Sequence, residues 1–248
     1  MLIFVILHLL VYPSSNGYNS WMDKDTSAIG GLAAPLPPRK QLFYTSVIMD
    51  IVALALSAFV SMSFLLGILL YILASRAYSY RGIRLKQFPV IGFLTVFVCQ
   101  GFLIFFITYQ GVSHLPLSDI PLLPCFISSL LIGALYPLTQ IYQHDADVGD
   151  GVYTISYVLG KTGTFIFSML LFLLATVMLL LLFSQQRLMS QWYLFLLIML
   201  PVVLYFLYWM TLVWKREQQA SFSNSLRMII VATFCTTTFF FIQIITHH

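Results

Sequence analysis

Long apolar stretches separated by short polar ones dominate this chain. Runs near 1–18, 43–76, 88–109, 121–141, 163–184, 191–213 and 228–246 are almost free of charge. Most match the roughly 20 residues that an α-helix needs to cross a bilayer. The second run is too long. As one helix, residues 43–76 would reach about 50 Å, against a hydrocarbon core of about 30 Å. Such a helix could tilt or project into water. The alternative is a break near Ser57–Ser63, where small and hydroxyl residues gather without a strong turn signal.

Charge decides between the two. With the break, the chain has eight helices, and loops 19–42, 76–87, 142–162 and 214–227 share one side. Eleven of the twelve Lys and Arg residues then lie on that side, with Arg187 alone opposite. An unbroken run divides them eight to four. Basic loops are retained in the cytoplasm, so the break is favoured and the four loops are expected there. The expected fold is all-α: a polytopic membrane helix bundle of about eight transmembrane helices, forming a single membrane-embedded domain over 1–248. A bacterial-type inner or plasma membrane is the expected location. An even number of spans puts both termini outside, and the opening run is short for a complete span. One further helix upstream would account for both features.

Composition supports lipid as the solvent. The chain is 60% hydrophobic and 8% charged, whereas about a quarter of a soluble domain is charged. The net charge of +4 follows membrane topology, and no nucleic-acid partner is expected. Cys99, Cys125 and Cys235 are scattered in apolar segments without metal or disulfide spacing and are expected to be buried thiols. Residues 1–17 lack a basic start and a small-x-small cleavage site, so a membrane helix is the better reading than a signal peptide. Asp50 is the one acidic residue well inside an apolar run, which is thin equipment for ion translocation.

Two acidic clusters stand out against this background: "YNSWMDKDTSAIGG" (Tyr18 to Gly31) and "YQHDADVGDG" (Tyr142 to Gly151). On a helix, Asn19 and Asp23 share a face. Gln140, Gln143, Asp147, Asp150, Gly151 and Thr154 follow three- and four-residue steps and can share another. Asp25 and Asp145 point elsewhere unless a helix unwinds. A few carboxylates at a membrane surface suit Mg²⁺, which takes oxygen ligands and commonly combines one or two carboxylates with substrate phosphates. "RAYSYRGIRLKQFP" (Arg76 to Pro89) puts Arg76, Arg81, Arg84 and Lys86 on the same side. Arg76 and Arg81 also read as topology signals or lipid-headgroup contacts. "DADVGDG" does not fit a calcium loop, because its sixth position is Asp150 and its twelfth is Ser156. His144 reads either as a base or metal ligand, or as a hydrogen-bonded surface group. His8, His114, His247 and His248 show no partner pattern.

"NSWMDKDTSAIGG", "AYSYRGIRLKQFP" and "QIYQHDADVGDGVYTISYVLG", in this order with helices between, resemble the UbiA superfamily of intramembrane prenyltransferases. That family has nine membrane helices and two aspartate-rich motifs on cytoplasmic loops. The resemblance covers essentially the whole chain from the family's second helix onward. Its first motif, N-D-x-x-D-x-x-x-D, is matched at Asn19 and Asp23. Ser20 and Ser27 replace two aspartates, and Asp25 is an addition. Its second, D-x-x-x-D-x-x-x-G-x-x-T closing on Leu-Gly, is matched at Asp147, Gly151, Thr154, Leu159 and Gly160, with Gln143 at the first aspartate. The tyrosine-and-basic motif between them resembles Tyr78, Arg84 and Lys86.

The resemblance implies Mg²⁺-dependent transfer of a polyprenyl group from an allylic diphosphate to a small lipophilic acceptor, which could be aromatic. It implies catalytic roles for Asp23, Asp147, Arg84 and Lys86. Asn19, Tyr78, Arg84, Lys86, Gln143 and Lys161 would bind substrate. Asp23, Asp25, Asp147 and Asp150, with Asp145 as a reserve, would hold metal. Tyr12, Tyr78, Tyr136 and Tyr142 are candidate aromatic faces for an allylic cation. Two other readings are a UbiA-like protein that binds a lipid or a partner without catalysis, favoured by Ser20, Ser27 and Gln143, and a transporter. Membrane lipid surrounds the protein in every case.

Overall fold

A computed structural model describes residues 1–246, so His247 and His248 lie outside the described residues. The regular structure of the described residues is helical apart from one isolated bridge, Ile29 to Leu32. Helix α1 runs continuously through Leu2–Phe4, a π-helical stretch Val5–Val11, and Tyr12–Asp23. Next come α2 (Lys40–Ser57), α3 (Met62–Ser79), α4 (Pro89–Ser113), α5 (Leu122–Gln140) and the short α6 (His144–Gly149). The long helices α7 (Ile155–Gln185), α8 (Met189–Lys215) and α9 (Phe222–Thr246) complete the bundle.

Seven of these helices, α2 to α5 and α7 to α9, are long and apolar enough to cross a membrane by length and composition. The first helix is apolar only over its first half. Its second half carries Ser14, Ser15, Asn16, Asn19, Ser20 and Asp23.

The long second apolar run does break. Helix α2 ends at Ser57, and Ser61 caps α3 by accepting a 3.0 Å hydrogen bond from the Phe64 backbone N–H. A hydroxyl at this position satisfies one of the orphan donors of a helix start, which is why the small polar residues there work as a turn. A buried ion pair then ties the returning helix to its neighbours. The Arg76 guanidinium engages Asp50, with Nε donating at 3.0 Å. It also donates to Ser14 Oγ at 2.7 Å and lies 4.1 Å from the centroid of the Tyr18 ring. Arg76 is thus a structural residue joining α1, α2 and α3. Asp50 is its counter-ion.

Two apolar cores form. Ile6, Val11, Ala53, Phe64, Ile68 and Ile107 unite α1 to α4. Ile127, Leu138, Phe165, Phe195, Trp209 and Phe239 unite α5 with α7, α8 and α9. Helix α5 is the most enclosed span, with 44% of its apolar window buried against 17–33% in the others. It meets the first half where α4 turns π-helical over Phe97–Leu103. A Cβ on Gly101 would lie 2.4 Å from Ser129 Cα, so only glycine permits this approach.

Much of the remaining helix surface is exposed and apolar, including Leu66, Leu70, Leu73, Leu170, Leu197 and Phe234. A water-soluble protein rarely shows so much contiguous apolar surface, whereas a lipid-facing one requires it.

Candidate functional site

The polar ends of α1, α3, α5 and α6 meet at one end of the bundle. Helix α1 stops at Asp23 because Lys24 turns left-handed (φ 57°). That unwinding swings Asp25 inward. Arg84 is also left-handed (φ 52°) at the turn after α3, an uncommon and costly conformation for a non-glycine residue. Arg84 and Lys86 are nevertheless buried, and their charges point into the protein.

Asn19, Asp23, Asp25, Tyr78, Arg84, Lys86, Gln143, Asp147 and Asp150 all line one cavity of about 240 Å³. Lys86 Nζ pairs with Asp23 and donates to Asn19 Oδ1 at 3.1 Å. Asn19 Oδ1 also accepts from Ser79 Oγ at 2.7 Å. Arg84 reaches Asp23 at 3.5 Å, pairs with the Asp150 carboxylate, and donates to the Asp150 backbone carbonyl at 2.8 Å. Arg81 adds a two-pronged pair to Asp150 at 3.0 and 3.1 Å. It is therefore part of this lattice, beyond any topological role. Gln143 donates to Tyr142 OH at 3.1 Å.

The carboxylates divide into two kinds. Burial disfavours the Asp150 charge, but hydrogen bonds from Arg84 and Arg81 overcome it and hold the group below the usual carboxylate range. Asp147 is pushed up to about 7, chiefly by burial and then by the neighbouring Asp23 and Asp25 charges, against opposition from Lys86 and Arg84. Asp25 is pushed up to about 6 by burial and by Asp23. Asp147 Oδ2 and Asp25 Oδ2 are buried and have no hydrogen-bond partner. Buried polar atoms are normally satisfied, so two such oxygens in one cavity call for a missing cation or donor.

Among the described residues, no group of three or more His, Cys, Asp and Glu side chains forms a ready-made metal cage. Mg²⁺ does not require one, since it commonly takes one or two carboxylates and completes its shell with water and substrate phosphate. The oxygen-only donors at Asp25 and Asp147 fit that ion.

A second cavity, of about 340 Å³, adjoins the first, and Asn19, Tyr78, Gln140 and Gln143 line both. The four tyrosines singled out as aromatic faces, Tyr12, Tyr78, Tyr136 and Tyr142, all line the larger cavity. Tyr78 OH and Tyr136 OH are hydrogen-bonded to each other, and Gln140 Nε2 donates to Tyr136 OH at 2.9 Å. Cys99 lines this cavity too and is only partly buried, unlike Cys125 and Cys235.

Two expected site residues fall outside. Lys161 follows the kink at Gly160 (φ 65°), which turns its ammonium toward Glu217 at 3.4 Å. Asp145 is exposed, two residues from Asp147 on the far face of α6. His144 Nε2 makes a 2.8 Å hydrogen bond with Ser156 Oγ, and the residue lines neither cavity. The regular helix expected from Gln140 to Thr154 does not exist. The chain instead ends α5, forms α6, turns at Gly151 (φ 73°) and restarts α7 with Thr154 as its cap. Gln140, Gln143, Asp147, Asp150 and Thr154 still converge, whereas Gly151 does not line the cavity.

Sequence reasoning missed Ser15, Asn16, Ser75 and Gln100 in the larger cavity. A polar stripe at Tyr12, Ser15, Asn16, Asn19 and Asp23, in three- and four-residue steps, would have marked the α1 face.

Seven membrane-length apolar helices, with acidic and basic residues gathered beside a tyrosine-lined cavity, define a class of polytopic membrane proteins. Residues 1–242 match the UbiA prenyltransferase family, and the chain belongs to that family. Neither the curated proteins nor the solved structures contain a match to the chain.

Proposed function

We propose that this protein is a Mg²⁺-dependent prenyltransferase that moves a polyprenyl group from an allylic diphosphate to a small lipophilic acceptor. The observation that carries this reading is the convergence of Asp23, Asp25, Asp147 and Asp150 with Arg84 and Lys86 on one cavity. A second, tyrosine-lined cavity adjoins it. Family membership supports the general activity.

Arg84 and Lys86 are the cations placed to bind the diphosphate. Both are now held by carboxylates, so an arriving diphosphate exchanges with Asp23 and Asp150 for them. Asp147 and Asp25, with their unpaired oxygens, are the residues that would hold Mg²⁺. When bound, the ion supplies charge neutralisation for the departing diphosphate. The allylic C–O bond breaks with its electron pair going to the diphosphate oxygen. Arg84 and Lys86 stabilise that growing charge in a water-poor site. The acceptor's electron pair forms the new bond to the allylic carbon, and the acceptor proton leaves with diphosphate or water. Tyr78 lines both cavities and Tyr136 the larger one, and their rings can face the allylic cation, each worth about 0.5–2 kcal/mol. The excess of basic residues on these loops supports a cytoplasmic location for the site.

One observation favours a second reading, a lipid-binding protein without turnover. Asp23, matched to a family aspartate, is already neutralised by Lys86 and Arg84. The test uses the detergent-purified full chain, Mg²⁺ and a panel of labelled prenyl diphosphates. Diphosphate release that is abolished by EDTA, and reduced at least about 100-fold in Asp147→Ala and Asp23→Ala, supports transfer. Metal-dependent donor binding without release supports the second reading. Absence of both with every donor overturns the first.

A further inference from the structure

The larger cavity is polar but uncharged. Among the described residues that line it, none carries a charge. Its polar groups are neutral hydroxyls and amides, including Ser15, Asn16, Gln100, Thr139 and Gln140. The geometry points to this cavity as the acceptor pocket, selecting an uncharged acceptor that bears a hydroxyl group: a phenol, quinol or alcohol without a carboxylate or phosphate. This rests on the prenyl-transfer reading and names the acceptor class that reading leaves open.

Three observations carry it. The first is Gln140, which is 7% exposed and stands where the two cavities meet. Its Nε2 donates to Tyr136 OH, while its Oε1 is buried without a partner. A hydrocarbon tail placed here would leave that oxygen unsatisfied, and a ligand O–H would satisfy it. Turning the amide over exchanges donor and acceptor but still leaves one end unpaired, and a hydroxyl can serve either end.

The second is the absence of a cation for an anionic acceptor. The cations that line the adjoining cavity are held, Lys86 by Asp23 and Asn19, and Arg84 by Asp150 and Asp23, while Arg76, next in sequence to the lining residue Ser75, is paired with Asp50. The diphosphate would then take Lys86 and Arg84. An unpaired carboxylate in a buried neutral pocket is strongly disfavoured. The third is size. About 340 Å³ lies at the small end of ligand pockets, which run from about 300 to 1,000 Å³, so one or two rings fit.

Gln140 is accordingly a positioning residue for the acceptor hydroxyl beside the allylic carbon. The test is equilibrium binding to the purified full chain without donor or metal. Probes are a phenol and a methylhydroquinone, their methyl ethers, and the carboxylated counterparts 4-hydroxybenzoate and 2,5-dihydroxybenzoate. The neutral hydroxyl compounds should bind at least about 100-fold more tightly than the carboxylated ones. Methylation of the hydroxyl should cost about tenfold. In Gln140→Leu the free hydroxyl and its methyl ether should bind equally. In turnover that variant should raise the acceptor KM about tenfold, with a smaller change in the donor KM.

Equal or tighter binding of the carboxylated probes overturns the inference, as does wild-type protein that cannot tell the hydroxyl from its ether. The second comparison holds even where Gln140→Leu fails to fold. Diphosphate release that no neutral hydroxyl compound stimulates overturns the acceptor assignment and leaves prenyl transfer standing. Hydroxyl-dependent binding without any donor turnover supports the pocket and counts against the enzymatic reading.

Discussion

Asp147 and Asp25 concentrate the chemistry of the site, because each holds a buried oxygen that nothing among the described residues satisfies. With Asp147 pushed up to about 7 and Asp25 to about 6, protons and a divalent cation compete for the same oxygens. Mn²⁺ affinity, measured by equilibrium binding with Mn²⁺ in place of Mg²⁺, should fall about fivefold from pH 7 to pH 6 through Asp147. It should fall more steeply below pH 6, where Asp25 also takes a proton. Affinity unchanged from pH 8 to 5.5 would show that neither carboxylate holds the ion. The linked stability effect has a defined sign. Both groups bind protons more tightly folded than unfolded, so their contribution is fully present at low pH. It is lost as pH rises through about 6 to 7. Ion-free protein should therefore melt lower at pH 8 than at pH 5.5 through these groups, and Mn²⁺ should narrow that difference. Much of this cluster was legible in the sequence, since Asn19, Asp23, Asp147 and Asp150 announce themselves by spacing. Asp25 was a candidate only on condition that the helix unwinds, and that condition is met by the left-handed backbone at Lys24, which spacing alone cannot reveal.

At the level of helices, the break between α2 and α3 could be read from length and charge, and the structure places it within Ser57–Ser63. The Asp50–Arg76 pair that fastens the break could not, since partners 26 residues apart become neighbours only after the chain reverses. Removing either member strands a buried charge. Asp50→Leu or Arg76→Leu should each lower stability by about 3 kcal/mol or more, while the double substitution should recover most of the loss. Thermal unfolding in detergent of the two single variants and the double variant checks this. Strict additivity would mean that the pair does not act as a unit. Gly101 is a second hidden constraint. Its replacement by valine drives a side chain into Ser129 backbone, and helix backbones yield less readily than side-chain tips. A loss of about 1–3 kcal/mol should follow, with looser association of the two halves, measurable as faster proteolysis within the 114–121 loop. Seven residues of π-helix at this contact left no mark in hydropathy, because side-chain polarity does not report which carbonyl each backbone N–H reaches.

For the whole molecule, the cavities lie beside the contact of two separately packed cores, so the position of the site depends on four loops emerging at the same end. Three ion pairs bind all four together: Arg81 to Asp150, Arg84 to Asp23, and Lys161 to Glu217. The opposite end is joined by Ser61 donating to Gln110 Oε1 at 2.7 Å. This arrangement, with the basic excess on the site-bearing loops, fixes which positions a membrane-impermeant thiol reagent can reach. In a background with Cys99, Cys125 and Cys235 replaced, single cysteines at the exposed positions Ser27, Asp145 and Gln218 should all label from the cytoplasmic side. Those at Ser118 and Gln186 should label only from the other. Had the 43–76 run been one helix, residue 27 would exchange sides relative to residues 145 and 218. The site would then be divided across the bilayer, where Asp23 and Asp150 could not both meet Arg84. Opposite labelling of Ser27 and Asp145 variants would therefore remove the common cavity itself, and with it the basis for any diphosphate chemistry in this protein.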